Sequence, residues 1–350
     1  MYFLFNYTKV LLWSTVYYYY RNDKIYQLIL KNIKDSGCIA IKFTQWALPK
    51  IEMIYKIDTS KYTWFQELEK FYEYCNIHDF KHTEDIYYQD FSEKLLDNYS
   101  IEGIIGSGSI GQVYKITDKN TKKNYALKVI HPNLSYQIHF FKIIIMIINY
   151  SPLRYILNNI LPIDLYQFII DFEEQTNMIH ETNNCLKFQE NYQNNPKIII
   201  PEIYKCSENI LLMSYEEGTK FDDLNTNEYI KFKSIQLLQI FTKNNQIINN
   251  FNHGDMHKGN WKVRLIDNKP SLVIYDFGFC WKLKYKNKDM LDFIDKTFIK
   301  LDDGINCEKE LIIISKFLLH DKCGGDTIQK KISQNKTIVD PFVLLDIIIS

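Results

Sequence analysis

The chain is short of glycine and proline, 12 and 8 in 350 residues, and alanine is also scarce, while asparagine, isoleucine, lysine and tyrosine abound. That bias reads as the codon usage of an AT-rich genome, so bulk composition says little about function. Net charge is absent: 42 basic side chains balance 42 acidic ones. This argues against a dedicated nucleic-acid binder, whose phosphate contacts need a basic excess. Seven cysteines are scattered at 38, 75, 185, 206, 280, 307 and 323, an odd number with no Cys-x-x-Cys pair. A disulfide framework and a zinc site are thereby disfavoured, and a reduced, intracellular compartment with ordinary buried thiols is expected. No apolar run is both long and clean. Met1 to Tyr20 is apolar and aromatic, but Asn6 and Lys9 interrupt it and no small-residue cleavage site follows. It is neither a clean signal peptide nor a good span, and an amphipathic helix lying on a membrane or on the domain is expected. Phe140 to Ile148 is too short to cross a bilayer and is expected as a buried helix, with membrane contact as the second reading. Internal repeats and long flexible linkers are lacking. The length suffices for two or three packed subdomains.

What is present concentrates in one stretch, Phe251-Asn252-His253-Gly254-Asp255-Met256-His257-Lys258-Gly259-Asn260-Trp261, followed after a hairpin by Leu272-Val273-Ile274-Tyr275-Asp276-Phe277-Gly278. Asp-Phe-Gly alone is more often a turn. Asp255, Asn260 and Asp276 together, between an apolar helix and a hairpin, match the way kinase-like enzymes hold a hydroxyl acceptor and two metal ions against a triphosphate. A phosphoryl group in transfer spreads negative charge over its oxygens, and Mg²⁺, a hard cation, takes carboxylate and amide oxygens. In this reading Asp276 bridges metal and phosphates, Asn260 holds a second metal, and Asp255 orients the attacking hydroxyl.

Upstream, residues 20 to about 95 read as helices: apolar residues at 25–33, a break at Gly37, resumption at 39–46, and Phe65, Leu68, Phe71 and Tyr72 on one face. At Ile101 the period changes. A strand leads into Gly106-Ser107-Gly108-Ser109-Ile110-Gly111-Gln112-Val113, a second strand follows, then a turn at 118–121, then a third strand, Asn124 to Ile130, carrying Lys128. G-x-G-x-x-G is weak by itself. Here it joins two antiparallel strands with no helix directly after it, which disfavours a dinucleotide fold and suits a phosphate-covering loop. Small residues let backbone amides approach phosphates, and Lys128 neutralises the α and β phosphates; its bland alternative is a surface lysine on an edge strand. A long helix is expected from Pro162 to about Asn191, with Glu181 as the candidate partner of Lys128, the alternative being an exposed helical glutamate. Two more strands, 198–204 and 209–215, end at Glu216-Glu217-Gly218; Met213 and Tyr215 would border a base-binding connection. A helix is expected at 227–249 and further helices near 289–300, 308–319 and 341–349.

Taken in order, these residues resemble the UbiB / aarF-domain-containing (ADCK) family of atypical kinases. Lys42-Phe43-Thr44-Gln45-Trp46 is similar to its Lys-x-Gly-Gln signature. The glycine loop, Ala126-Leu127-Lys128-Val129-Ile130-His131-Pro132, Gln175-x-Asn177 with Glu181 and Asn184, Ser214 to Gly218, His253 to Asn260 and Asp276-Phe277-Gly278 follow in family order. The resemblance implies an α+β, two-lobed kinase-like fold with a helical N-terminal extension (residues 1–98, 99–218 and 219–350 for extension, N-lobe and C-lobe). It implies binding of ATP and Mg²⁺, phosphate transfer or hydrolysis, and a link to ubiquinone or other prenyl lipids at a membrane. A nucleotide-binding pseudokinase scaffold or lipid chaperone is the alternative, and a conventional Ser/Thr kinase is weaker because no Ala-Pro-Glu segment is visible. The chain departs from the pattern in three ways. Glycines stand where the family loop is alanine-rich, Thr44 replaces a glycine, and Gln175 and Asn177 replace Glu and Asp. The last change removes a salt bridge expected for Lys42.

Overall fold

The structure is a computed structural model and describes residues 2–44, 77–151, 165–225, 228–282, 296–297, 300, 305 and 309–310. Their contacts divide into two compact units. The first comprises the described parts of Met1–Phe140, Asp171–Phe241 and Gly254–Phe279; the second comprises those of Phe141–Ile170, Thr242–His253 and Cys280–Ser350. Gln45, the helix expected around Phe65 and the helix expected near 341–349 lie outside the described residues, as do most of 289–300 and most of 308–319.

The chain opens with helix α1 (Tyr2–Tyr20), followed by α2 (Asp23–Asp35). Asn22 starts α2 by accepting the Lys24 N–H at 2.8 Å, as an N-cap should. The amphipathic expectation for α1 is corrected: apolar residues circle the helix, and Leu11, Leu12 and Tyr18 to Tyr20 are exposed. Among the described residues no helix is long and apolar enough to cross a membrane. Gly37 has φ +95°, a left-handed turn that ends this part of the chain before residues 38–44 resume as helix. Helix α3 (Phe80–Phe91) is capped by Asp79, whose carboxylate accepts the Lys81 N–H at 3.0 Å. Tyr87 to Phe91 form its last turn. A short α4 (Leu95–Asn98) follows.

Five strands then build an antiparallel sheet in the order β1-β2-β3-β6-β5: β1 (Tyr99–Ser107), β2 (Gly111–Asp118), β3 (Asn124–Ile130), β5 (Ile203–Cys206) and β6 (Ile210–Ser214). Its core joins Tyr114, Ile116, Leu127, Val129, Ile210 and Leu212 to Tyr87 of α3 and Leu95 of α4. Truncating a fully buried side chain such as Leu127 to alanine would cost about 2–5 kcal/mol. Helix α5 (Leu134–Asn149) carries the apolar run, but only partly as expected: Leu134, Ile138 and Ile145 are buried, while Ile143, Met146 and Ile147 are exposed.

The single long helix expected before residue 191 is two, α6 (Leu165–Gln175) and α7 (Met178–Tyr192). The break is chemical. Asn177 takes extended dihedrals, φ −104° and ψ 110°, and its side chain accepts the N–H groups of Ile179 and His180, which starts a new helix. Strand β4 (Ile198–Ile199) leaves the large sheet and pairs in parallel with β9 (Lys269–Ile274), which is antiparallel to β8 (Trp261–Ile266). Helix α8 (Glu228–Asn244) ends in a five-residue π turn at Asn245–Asn249. In the second unit β7 (Asn252–His253) pairs with β10 (Cys280–Trp281).

Candidate active site

Lys128 sits mid-strand on β3, opposite Val113 on β2 and Leu211 on β6. The pleat turns its side chain inward, and the residue is 5% exposed. Its Nζ donates to both carboxylate oxygens of Glu181, at 2.9 and 2.8 Å, and lies 3.2 Å from Asp276 Oδ1. Burial alone would discharge this lysine, but the Asp276 and Glu181 carboxylates outweigh it and hold the ammonium well above its usual range. Both bland alternatives therefore fail: Lys128 is not a surface lysine, and Glu181, 2% exposed, is not a solvated glutamate.

One face of α7 holds this arrangement. Glu181, Asn184 and Phe188 follow at i, i+3 and i+7, so they share a side of the helix. Glu181 takes Lys128, Asn184 Nδ2 donates to the Phe277 carbonyl at 2.8 Å, and Phe188 packs on the Phe277 ring with centroids 5.0 Å apart. Asp276 is in the left-handed region at φ 54°, a conformation that costs a non-glycine residue about 1 kcal/mol or more and is held by these neighbours. A Cβ at Gly278 would stand 3.2 Å from Asp276 Oδ1 and 3.6 Å from Glu181 Oε2, so glycine is what fits beside the charged cluster.

Asp255 and Asn260 are joined as well: Asn260 Nδ2 donates to the Asp255 carbonyl at 2.8 Å, and the Asn260 carbonyl accepts the Tyr275 N–H at 2.8 Å. The Gly254 N–H bonds the Phe279 carbonyl at 2.8 Å, which ties this loop to the Asp-Phe-Gly segment. The sequence reading missed the partner of Asp255. Lys42, on the helical segment 38–44, donates to Asp255 Oδ2 at 2.9 Å. Burial raises the Asp255 pKa, but Lys42, with His257 4.0 Å from Oδ1, more than reverses that and keeps the carboxyl below its usual range. The loss of carboxylates at 175 and 177 thus leaves Lys42 paired after all, by another residue. Gln175 instead donates to the Asp171 carbonyl of its own helix, and Asn177 caps α7.

The glycine loop closes through the Gly108 N–H, 3.0 Å from the Gly111 carbonyl. Gly111 is a packing requirement, since a Cβ there would be 2.6 Å from the Val129 carbonyl oxygen; Gly106 and Gly108 have open space around them. Ser107 and Ser109 are buried. Val113 lies opposite Gly106 on β1 and Lys128 on β3. His131 Nε2 is 2.9 Å from the Gly108 carbonyl, and His131 Nδ1 is 2.9 Å from Nδ1 of His78. The His-Pro run after β3 was the available signal for His131; nothing in the sequence marked His78. Met213 pairs with Ala126 at the end of β6, and Lys115 Nζ sits 4.8 Å over the Tyr215 ring.

The sequence profile of the ABC1 atypical kinase-like domain matches residues 49–305. A Dictyostelium discoideum protein named probable serine/threonine-protein kinase abkC is 26% identical over 69% of this chain and 35% of its own length. An Erwinia tasmaniensis protein named probable protein kinase UbiB is 28% identical over 59% of this chain and 39% of its own. The chain thus spans well under half the length of these relatives. Among solved structures, Mycobacterium tuberculosis Rv3197 in complex with erythromycin aligns with TM-score 0.49 and 14% identity, over 76% of this chain and 64% of that one. With the profile covering most of its length and UbiB proteins among its relatives, the chain belongs to the ABC1/UbiB family of atypical kinase-like proteins and has that family's α+β kinase-like fold.

Proposed function

We propose that this chain binds Mg-ATP and transfers or hydrolyses its γ-phosphate. One observation carries the reading: Lys128 is gripped by both oxygens of Glu181 and also faces Asp276. A lysine so fixed presents its charge at a set position, as neutralising the α and β phosphates requires. The oxygens suit Mg²⁺. The Asn260 amide nitrogen is taken by the Asp255 carbonyl, which turns its oxygen the other way, and the Asp276 side chain is 40% exposed. Among the described residues no three His, Cys, Asp or Glu side chains converge as a metal cage. An ion shared between one carboxylate, one amide and substrate phosphates needs none. When bound, Mg²⁺ supplies charge neutralisation for the transferring phosphoryl group. Glycines at 106 and 108 leave backbone room for phosphates, and the segment after Met213 borders the base. Asp255 orients the acceptor hydroxyl or water.

The test is Mg-ATP binding and phosphate release by purified protein, wild type against Asp276→Asn. Nucleotide at about a hundred times its dissociation constant stabilises a fold by roughly 2.7 kcal/mol, which thermal unfolding reads easily. Equal stabilisation of both proteins without turnover in either would sink the reading. The Lys42 contact to Asp255 favours a second reading, nucleotide binding without phosphotransfer. It predicts stabilisation by nucleotide and no phosphate release under any acceptor condition.

The family resemblance extends the proposal to a prenyl-lipid acceptor or ligand at a membrane, and the exposed apolar residues of α1 support contact with lipid. Failure of the full chain to sediment with anionic liposomes would remove that part.

A further inference from the structure

Tyr275 stands immediately before Asp276, and its side chain runs away from the metal-binding oxygens toward the segment after β6. At its root, the Tyr275 N–H donates to the Asn260 carbonyl at 2.8 Å. At its tip, the hydroxyl donates to the Glu216 carbonyl at 2.7 Å. The same segment is gripped again from β8. Arg264 Nε donates to the Glu217 carbonyl at 2.7 Å, and Arg264 Nη2 donates to the Glu216 carboxylate at 2.8 Å. The ring is flanked by Lys262, whose Nζ lies 5.4 Å from its centroid. Two carbonyls of the connecting segment are therefore engaged by side chains. Among the described residues nothing bonds the Glu216 N–H or the Tyr215 carbonyl. These two groups belong to one trans peptide and point to opposite sides, so one of them at a time can face a base.

We propose that Tyr275 is a positioning residue: it fixes residues 215–217 relative to Asp276 and Asn260, and so sets the span between the base-binding and phosphate-binding ends of the site. The inference rests on the nucleotide reading above. One tyrosine joins both ends because its backbone belongs to the metal end and its hydroxyl to the base end. A phenylalanine would keep the ring and the β9 register and lose only the tie.

The experiment compares wild type, Tyr275→Phe and Arg264→Gln for binding of Mg-ADP, Mg-ATP and Mg-tripolyphosphate by titration calorimetry. Tripolyphosphate carries the phosphate end alone. In Tyr275→Phe the nucleotide affinities are expected to fall about tenfold, equivalent to roughly 1.4 kcal/mol, with tripolyphosphate binding unchanged. Arg264→Gln, which loosens the same segment from the other side, should show the same base-selective loss and guards against a Tyr275→Phe protein that folds poorly. Equal losses for nucleotide and tripolyphosphate, or full nucleotide affinity in both variants, would overturn the proposal. A wild-type protein that binds none of the three ligands would overturn the nucleotide reading itself.

Discussion

Lys42 and Asp255 are 213 residues apart in the chain, and their side chains meet at 2.9 Å. The contact places a cation from the N-terminal helices on the carboxylate that would orient the acceptor. Both groups are half-buried, so water screens the pair only in part. With Lys42 on it, one oxygen of Asp255 is occupied before any acceptor arrives. Lys42→Ala is therefore expected to raise basal phosphate release several-fold while Mg-ATP affinity stays as in wild type, and Lys42→Arg is expected to keep the low basal rate. Steady-state phosphate release beside nucleotide titration reads both. Lower turnover in Lys42→Ala would show that the lysine assists the reaction rather than blocking Asp255.

Lys128 and Glu181 form the most deeply buried ion pair of the site. A buried pair is costly to break on one side, because the remaining charge is stranded, but costs little to replace on both sides. Lys128→Met leaves Glu181 and Asp276 facing each other without a cation. It is expected to destabilise the fold by about 3 kcal/mol and to abolish nucleotide stabilisation. Adding Glu181→Leu should recover most of the stability and none of the nucleotide response. Chemical denaturation of the two single variants and the double one closes the cycle. Additive losses in the double variant would mean that the pair is not coupled.

The glycine loop separates fold from function position by position. Gly111→Ala places a methyl 2.6 Å from the Val129 carbonyl oxygen, which cannot give way without moving β3. A loss of about 1–3 kcal/mol is expected. Gly106 and Gly108 have no such obstruction, so alanine there should melt as wild type does and weaken Mg-ATP binding by crowding the phosphates. Thermal unfolding with and without nucleotide distinguishes the two outcomes. Unchanged ATP affinity in both variants would show that this loop does not approach phosphate.

Much of this site could be read from the sequence because its parts are local. The third strand falls at Asn124–Ile130 as expected, since a short, mostly apolar run around Lys128 is a property of a few neighbouring residues. Glu181 could be proposed as a partner because helix spacing and family order both pointed to it. What stayed hidden depends on distant pairings. Without carboxylates at 175 and 177, Lys42 was expected to lose its salt bridge, but Asp255 takes the lysine, while Gln175 and Asn177 serve the helices they sit in. The break between α6 and α7 was missed because one asparagine's capping hydrogen bonds outweigh the helical periodicity on either side. Nothing in the sequence singled out Tyr275; only the fold brings its hydroxyl to Glu216.

The histidines beneath the glycine loop make stability depend on pH with a definite sign. His78 Nδ1 faces His131 Nδ1 at 2.9 Å, His78 Nε2 lies 3.0 Å from the Thr83 hydroxyl, and His131 Nε2 meets the Gly108 carbonyl. With both rings neutral, His131 Nε2 donates to that carbonyl and its Nδ1 accepts a hydrogen from His78 Nδ1, so the contacts are compatible with an uncharged pair. Burial, then the neighbouring His131 and His82, lowers the His78 pKa from 6.5 to about 4, with Asp79 opposing weakly; burial also lowers that of His131. Between those two pH values the unfolded chain binds a proton at His78 and the folded chain does not. Stability therefore falls as pH drops from about 6.5 to about 4. The contribution is on the order of 2 kcal/mol, less than the full shift implies because the ring is partly solvated. His78→Gln should flatten this limb of the stability profile measured by denaturant titration from pH 7 to pH 4.5. It should also loosen Gly108, which amide hydrogen exchange would show as faster exchange across residues 106–111. Identical pH slopes in wild type and His78→Gln would assign the loss to other groups.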